Sequence, residues 1–201
     1  MKLIMTAAAI ATASVAAPAL AQDSNSGPRI EATVGWDRLV LNLDDDSAGK
    51  SGVTYGGELG YDVQIGTGAI LGAYAGIDGS SAKECVSAGT ERECLKVGRN
   101  LTVGARIGGR IGTRSLAYIK GGYSNGRLRG TYTDTAFPAD NISGGENMDG
   151  FHAGAGVQVG LRNGFYGKAE YNYTRYSTYD FDGSDFRLDR HRVVAGFGYR
   201  F

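Results

Sequence analysis

The last residues of the chain alternate between two kinds of side chain. Counting back from Phe201 to Val193, every second residue is aliphatic or aromatic, and the residues between them are arginine or glycine, apart from Val194. Successive side chains of a β-strand point to opposite faces, so a period of two sorts apolar from polar residues. The end of the chain is therefore predicted to be a strand with one apolar face and one polar face.

The other end of the chain is typical of a secretory signal peptide. Residues 1–21 begin with one basic residue, Lys2, continue through an apolar run and end with the small-residue pattern Ala19-Leu-Ala21. As a transmembrane helix this segment is short, rich in alanine and interrupted by Pro18. We therefore expect a mature protein that begins at Gln22, outside the cytoplasm, rather than a cytosolic protein with an N-terminal helix.

Composition favours a single domain built of strands. The 201 residues, without the leader, suit one domain. The chain holds 33 glycines and 3 prolines, and strands avoid proline because it cannot donate to the ladder. No helical period and no apolar run of about twenty residues follows the leader, so a helical membrane anchor is not expected. The formal net charge of zero gives no basic stripe for a nucleic-acid partner.

Eight alternating segments follow the leader. They lie at about 29–38, 52–64, 69–78, 99–111, 115–124, 150–162, 165–176 and 188–201. Short turns and long loops alternate between them. The short turns are 65–68, 112–115 and 162–164, and the long loops are 40–51, 79–98, 125–149 and 177–187. This layout predicts an all-β domain over 22–201, a closed eight-stranded antiparallel up-and-down transmembrane β-barrel with both termini on the periplasmic side.

The alternation does not say which face of the strands points into the barrel. A soluble, lipocalin-like barrel would place the apolar face inside. The polar face, however, is crowded with glycine, which suits a narrow lumen better than a solvated exterior. On the apolar face, aromatic residues lie near the strand ends, as in the girdles of membrane barrels. The predicted girdle residues are Trp36, Tyr55, Tyr123, Phe151 and Tyr173 toward the long loops, and Tyr61, Phe165, Tyr199 and Phe201 toward the short turns.

With the polar face inward, acids and bases share the lumen. The predicted lumen residues are Glu31, Asp37, Glu58, Asp62, Glu170, Arg106, Arg110, Lys120, Arg162, Lys168, Arg192 and Arg200. Isolated charges in such a space are costly, so we expect a salt-bridge network that plugs and stiffens the barrel. A gated path for ions or solutes is the alternative. Neutralising Glu58 or Glu170 is expected to destabilise a plugged barrel, whereas a higher conductance with unchanged stability would favour the path.

The two cysteines, Cys85 and Cys94, fall in one predicted long loop. An even number of cysteines in an oxidising compartment predicts a disulfide between them. A metal site is not expected, because the neighbouring acidic residues come without a histidine. Neither His152 nor His191 stands at a recognisable spacing from a serine and an acid, so no catalytic residue and no cofactor is predicted.

Several short motifs resemble one known family. They are Gly35-Trp-Asp37 in the first segment, Gly57-Glu-Leu-Gly-Tyr-Asp62 in the second, Gly167-Lys-Ala-Glu-Tyr171 in the seventh and Ala195-Gly-Phe-Gly-Tyr-Arg-Phe201 at the end. Together with the leader, these motifs resemble the small outer-membrane β-barrel proteins, which include the OmpA transmembrane domain and the alphaproteobacterial surface-antigen barrels. The resemblance covers about 22–201. It implies a place in the bacterial outer membrane.

The resemblance also implies partners and two classes of function. Phe201 would act as an assembly signal for the barrel-assembly machinery, and the long loops would meet lipopolysaccharide and extracellular ligands. Arg127, Arg129 and Arg175 are expected near lipopolysaccharide phosphates, because cations are favourable beside an anionic leaflet. One function is structural or interactive: envelope integrity, surface contact or adhesion. The other is a narrow porin-like channel for small solutes or ions. An enzyme is not expected.

Overall fold

The computed structural model describes residues 26–43, 46–137, 141–177, 179–181 and 184–201. The described residues form ten strands. They are β1 (Gly27–Leu43), β2 (Asp46–Ile65), β3 (Ala69–Ser80), β4 (Lys83–Ala88), β5 (Glu91–Ile111), β6 (Ser115–Asp134), β7 (Ile142–Gly160), β8 (Phe165–Tyr176), β9 (Tyr179–Phe181) and β10 (Ser184–Arg200). The predicted signal peptide lies outside the described residues. Within those residues, no helix is long and apolar enough to cross a membrane.

Eight of these strands close into a ring. The order is β1–β2–β3–β5–β6–β7–β8–β10, each strand is antiparallel to its neighbours, and β10 pairs back onto β1. The closing pair runs from Arg29↔Arg200 to Asn42↔Arg187. β4 adds to the outer part of β5, and β9 adds to the start of β10. The prediction of a closed, eight-stranded, antiparallel up-and-down barrel is confirmed.

The two ends of the barrel differ. At one end, which we name the turn end, short connections at 66–68, 112–114 and 161–164 join consecutive strands. The last of these turns contains Asn163 and Gly164, whose φ angles of 59° and 79° lie in the left-handed region that asparagine and glycine tolerate. At the other end, which we name the hairpin end, the strands continue past the ring as long hairpins.

The strands are longer than the alternation predicted. The predicted loop 125–149 is mostly strand, because β6 runs to Asp134 and β7 begins at Ile142. The predicted loop 79–98 contains β4 and the first part of β5, and much of 40–51 belongs to β1 and β2. These predictions were wrong because polar residues occupy both faces of the strands beyond the ring. Backbone pairing continues there without a period-two signal in the sequence.

The apolar face of the ring points outward. In β7, Val157 and Val159 are about half exposed, whereas Gln158 between them is buried. The charged residues that alternate with outward apolar residues on other strands, such as Arg106 and Glu170, are buried inside the ring. A soluble barrel would have the reverse arrangement. The predicted orientation is therefore confirmed.

The predicted girdle residues lie on the outward face, near the two ends of the ring. On the hairpin side, the rings of Tyr123 and Phe151 pack edge to face with centroids 6.3 Å apart. On the turn side, the ring centroid of Tyr199 lies 5.0 Å from that of Phe165 and 4.8 Å from that of Phe201. The other outward members are Trp36, Tyr55, Tyr61 and Tyr173. This placement is that of aromatic residues at membrane interfaces.

Candidate functional site

An apolar floor closes the lumen at the turn end. Ile70, Leu116 and Tyr118 come from β3 and β6, point inward and are almost completely buried. Each alternates along its strand with outward residues, so the same period of two that builds the outer wall brings these side chains together inside.

A network of ion pairs, which we name the lower network, lies next to the floor. Its members are Arg29, Glu31, Glu58, Asp62, Arg106, Lys120, Lys168, Glu170 and Arg200. Lys120 Nζ lies 2.6 Å from Glu58 Oε2 and 3.3 Å from Glu170 Oε1. Lys168 Nζ lies 3.2 Å from Glu170 Oε2 and also pairs with Glu31. These side chains are buried or nearly so, and pairing offsets the cost of removing their charges from water.

Asp62 of β2 forms ion pairs with three arginines from three other strands. Arg106 binds it in bidentate fashion, with Nε 2.9 Å from Oδ1 and Nη2 2.5 Å from Oδ2. Arg200 Nη2 lies 2.8 Å from Oδ2, and Arg29 Nε lies 3.5 Å from Oδ1. The Asp62 side chain has no exposed surface. One buried carboxylate therefore ties β1, β5 and β10 to β2.

Buried tyrosines donate hydrogen bonds to the acids of the lower network. Tyr118 OH donates to Glu170 Oε2 at 2.6 Å, and Tyr166 OH donates to Glu31 Oε1 at 2.7 Å. Inward glycines make room for these rings, because a Cβ added at Gly198 would lie 2.4 Å from the Tyr166 ring. The glycine-rich inner face predicted from the sequence thus accommodates large polar side chains that cross the lumen.

A second group of ion pairs, the upper network, lies toward the hairpin end. Arg190 binds Asp37 in bidentate fashion, with both N–O distances at 2.8 Å, and its Nη1 lies 2.9 Å from Asp78 Oδ2. Arg192 also pairs with Asp78, and Asn100 Nδ2 donates to the same carboxylate at 3.0 Å. All five side chains are buried.

A small polar cavity of about 30 Å³ lies between the two networks. His152 lies on its wall, with Nδ1 2.8 Å from Ser124 Oγ and Nε2 2.5 Å from Tyr74 OH. Asn172 also lines the cavity, and its buried Oδ1 has no hydrogen-bond partner among the described residues. A space of this size holds about one or two waters.

An apolar cap closes the lumen at the hairpin end. It consists of the buried residues Leu39, Ala82, Met148, Tyr176 and Leu188, with Leu41, Val97 and Leu128 packed against them. Tyr176 joins the cap to the upper network, because its OH donates to Asn100 Oδ1 at 3.2 Å. From the turn end to the hairpin end, the lumen therefore contains an apolar floor, two ion-pair networks around a small cavity, and an apolar cap.

The structure brings the predicted lumen residues together with two exceptions. Arg110 and Arg162 lie at the turn end and are exposed, and Arg110 Nη2 donates to the Thr113 carbonyl at 2.9 Å. Their parity along the strand predicts the correct face but not the depth, and both lie outside the floor, where the turn end meets solvent.

Sequence reasoning missed several groups that matter for the lumen. Arg29, Asp78 and Arg190 share the parity of predicted lumen residues, so extending the alternation by one step would have found them. The apolar cap gives no such signal. Its members come from stretches predicted as loops or strand ends, and the chain fold alone brings them together.

A sheet that stands beyond the ring, which we name the hairpin sheet, carries the disulfide. It consists of β4, residues 91–97 of β5, residues 126–134 of β6 and residues 142–148 of β7. Cys85 and Cys94 are directly opposite each other in β4 and β5 and are joined by a disulfide bond. The predicted disulfide is confirmed, although it crosses a regular hairpin rather than an irregular loop.

Comparison with known proteins identifies the family. The sequence profile of the outer membrane protein beta-barrel domain matches residues 7–201. The 31 kDa outer-membrane immunogenic proteins of Brucella melitensis biotype 1 and Brucella suis biovar 1 are each 30% identical over 170 residues, which covers 77% of this chain and 70% of theirs.

Solved structures agree on the fold. Neisserial surface protein A superimposes with a TM-score of 0.55 at 13% identity, covering 88% of this chain and 98% of that one. A major outer membrane protein from Thermus thermophilus gives a TM-score of 0.50 at 14% identity, covering 86% and 99%. At such identities these structures are similar in fold. With the profile and the Brucella relatives, they lead to one conclusion: the chain belongs to the outer-membrane β-barrel protein family and is a protein of the bacterial outer membrane.

Proposed function

We propose that this protein is a closed outer-membrane barrel that supports the envelope and presents a rigid surface sheet, rather than a channel. In this proposal the hairpin end faces the cell exterior and both termini lie in the periplasm. The hairpin sheet would then meet lipopolysaccharide, neighbouring surfaces or extracellular ligands. The barrel itself would serve as a stiff anchor.

The observation that carries this proposal is the filled lumen. An ion that crosses the barrel would have to pass the cap, both networks and the floor, and the free space between the networks is about 30 Å³. An eight-stranded ring encloses little more than its own side chains. The buried ion pairs would also have to open, and breaking one of them by removing a partner costs about 3–5 kcal/mol.

Planar-bilayer recording with the refolded full-length chain tests the proposal. We expect no steady single-channel current from protein whose folding has been verified by its heat-modifiable migration on a gel. As a matched variant, Asp37→Ala combined with Arg190→Ala removes both partners of one upper ion pair without leaving an unpaired charge. A steady conductance in the unmodified protein that this variant increases would contradict the closed barrel and support the alternative of a narrow channel.

One observation favours the alternative of a narrow channel, which the bilayer recording therefore also tests. Asn172 Oδ1 lines the cavity and has no hydrogen-bond partner among the described residues, so ordered water is expected there. Thr174 Oγ1, on the residue paired with His152 across β7 and β8, is likewise buried and unpartnered within the described chain. A chain of such waters would be the start of a path. The cap nevertheless separates the cavity from the hairpin end.

In this role the protein has no enzymatic activity. The histidine that contacts a serine, His152, is buried in the lumen beneath the cap, and its second ring nitrogen is occupied by Tyr74. A substrate would have no approach to this pair while the cap is in place.

A further inference from the structure

The two faces of the hairpin sheet carry opposite charge. Residues that pair across neighbouring strands point to the same side of a sheet. The register therefore places one set of cations on a common side, which we name the basic face. Its cations are Lys83, Arg92, Lys96, Arg127 and Arg129. The carboxylates of the described sheet lie on the opposite side. They are Glu84, Glu91, Glu93, Asp134 and Glu146.

The basic face continues the outward wall of the ring. β6 pairs with β7 without interruption from Ser115 to Tyr132, so its odd-numbered residues keep one direction. Tyr123 is an outward girdle residue, and Arg127 and Arg129 share its parity. On β5, an irregularity between Val97 and Asn100 shifts the register by one residue. Because of this shift, the even-numbered residues of β5 beyond it face outward.

An ion pair confirms that the acidic side faces inward. Glu84 Oε2 lies 2.5 Å from Lys50 Nζ, and Lys50 belongs to β2, where even-numbered residues point toward the lumen side. Met148 of β7 shares its parity with Glu146 and is buried in the cap. The two charge sets therefore lie on the inner and outer surfaces of the same sheet.

The cations of the basic face have no carboxylate partner within 4 Å in the described part of the chain. Arg127 lies across Gly145, where an added Cβ would be 3.0 Å from its Nε, and that buried Nε has no hydrogen-bond partner among the residues described. Asp149, an outward carboxylate below the sheet, accepts hydrogen bonds from Tyr123 OH and from Asn125 Nδ2, the latter at 2.7 Å. Hydrogen bonds from these two side chains hold the pKa of Asp149 below its usual value.

Three of the cations stand in one cross-strand row, Lys83↔Lys96↔Arg129. Like charges directly opposite each other destabilise a sheet. The disulfide between Cys85 and Cys94 lies in the adjacent row of the same face and holds β4 against β5 despite this repulsion. A fixed row of unneutralised cations is suited to a ligand with several negative charges.

The height of this row above the aromatic girdle indicates which ligand the row would bind. Arg127 and Arg129 lie four and six residues beyond Tyr123 on one strand. At about 3.3 Å per residue and a tilt of about 40°, they stand roughly 10–15 Å beyond the aromatic girdle. That is the level of the headgroups in the leaflet that surrounds the barrel, and the face points toward that leaflet.

We propose that the basic face binds the phosphate groups of a lipopolysaccharide molecule in the outer leaflet. The proposal rests on the proposed function in one respect, which is that the hairpin end faces outward from the cell. Lys83, Lys96 and Arg129 bind the phosphates as a row, and Arg127 and Arg92 flank them. The disulfide keeps the row assembled.

Binding of fluorescently labelled lipopolysaccharide to the refolded full chain in detergent tests the proposal. The variant Lys83→Gln/Lys96→Gln/Arg129→Gln is expected to bind on the order of 100-fold more weakly, because each cation near an anionic surface contributes a factor of about 5. The control Arg110→Gln/Arg114→Gln/Arg162→Gln removes three exposed cations from the turn end and is expected to bind like the unmodified protein. Equal weakening by both variants would overturn the site.

Two further arms separate the possible ligands and the two proposals. Enzymatically dephosphorylated lipopolysaccharide should bind the unmodified protein as weakly as the variant binds the intact lipid. Strong binding of the dephosphorylated lipid would overturn the assignment of phosphate as the ligand. Tighter binding of soluble heparin than of lipopolysaccharide would overturn it as well. An epitope inserted at Gly89, at the tip of the β4–β5 hairpin, should be reached by antibody on intact cells. An unreachable epitope with intact phosphate-dependent binding would refute the proposed orientation and leave the binding site standing.

Discussion

Asp62 is a residue at which the lumen is sensitive to a loss of charge. Its carboxylate lies among three guanidinium groups, and the Asp62→Asn side chain would have nearly the same shape without the charge. We expect the variant to lose about 3–5 kcal/mol of the free energy of unfolding, because it leaves buried arginines uncompensated. Urea unfolding followed through Trp36, the single tryptophan, measures the loss.

Glu84→Gln is the matched control for this prediction. Glu84 also pairs with a cation, but it and Lys50 are each 54% exposed. Such a pair contributes about 0–1 kcal/mol, so the control should unfold close to the unmodified protein. A similar cost for both variants would show that burial of the lower network does not govern the stability of the barrel.

Inward glycines are a second kind of residue whose replacement is expected to destabilise the barrel. A Cβ added at Gly104 would lie 2.2 Å from the Gly121 carbonyl oxygen and 2.6 Å from Tyr74 OH. At Gly109 of the same strand, nothing lies within 4 Å of an added Cβ. Gly104→Ala is expected to cost about 1–3 kcal/mol of the free energy of unfolding, and Gly109→Ala is expected to be nearly neutral. The urea titration used for Asp62→Asn distinguishes these outcomes, and equal effects would contradict the close approach.

At the scale of the element, the disulfide should act on the hairpin sheet and not on the ring. Cys85→Ser combined with Cys94→Ser releases a cross-link with a sequence separation of 9, which contributes about 2–3 kcal/mol in the chain-entropy account. We expect faster tryptic cleavage at Lys83, Arg92 and Lys96 in folded protein. The urea midpoint of the ring should stay unchanged, and a parallel fall in that midpoint would contradict the separation of sheet and ring.

How far the sequence predicts an element depends on the medium around it. Inside the membrane, β7 separates apolar from polar residues cleanly, so its strand and its facing were predictable. Beyond the girdle, the same strand is polar and mostly exposed on both faces, and the stretch from Ile142 to Asp149 looks like a loop. β4 was missed for the same reason, since its residues are mostly exposed on both faces.

The sequence also predicts the contacts inside the lumen only in part. The alternation identified Arg106 and Glu170 as inward residues, but it carries no information on depth, so Arg110 was placed in a network that it does not reach. Pairing partners such as Arg190 and Asp37, 153 residues apart in sequence, depend on closure of the ring. Closure brings β10 beside β1, and no local pattern specifies which inward charges then meet.

At the scale of the whole molecule, closure depends on the last strand. Phe201 N donates to the Pro28 carbonyl at 3.0 Å, and its ring packs on Tyr199, yet the side chain is 69% exposed. If the barrel-assembly machinery reads this residue, as we propose, Phe201→Ala should reduce the folded protein in outer-membrane fractions several-fold. Refolding in detergent should be little affected, because the exposed ring loses few contacts.

Phe137→Ala is the control for assembly, since Phe137 is similarly exposed, at 65%, but lies at the hairpin end. Its folded amount in cells should equal that of the unmodified protein. If Phe201→Ala reaches the outer membrane in normal amounts, the proposal that the terminal aromatic residue is an assembly signal fails, while the closed ring itself is unaffected.

The one-residue irregularity between Val97 and Asn100 has an evolutionary consequence. Deleting a single codon there would rotate the outer half of β5, sending Glu91, Glu93 and Leu95 toward the surrounding lipid and turning their basic neighbours away from it. The transmembrane wall below would keep every residue it has. A lineage of such barrels could thus lower the positive charge that it shows to its surroundings in one step, because Arg127 and Arg129 of β6 would keep their direction while β5 turned acidic.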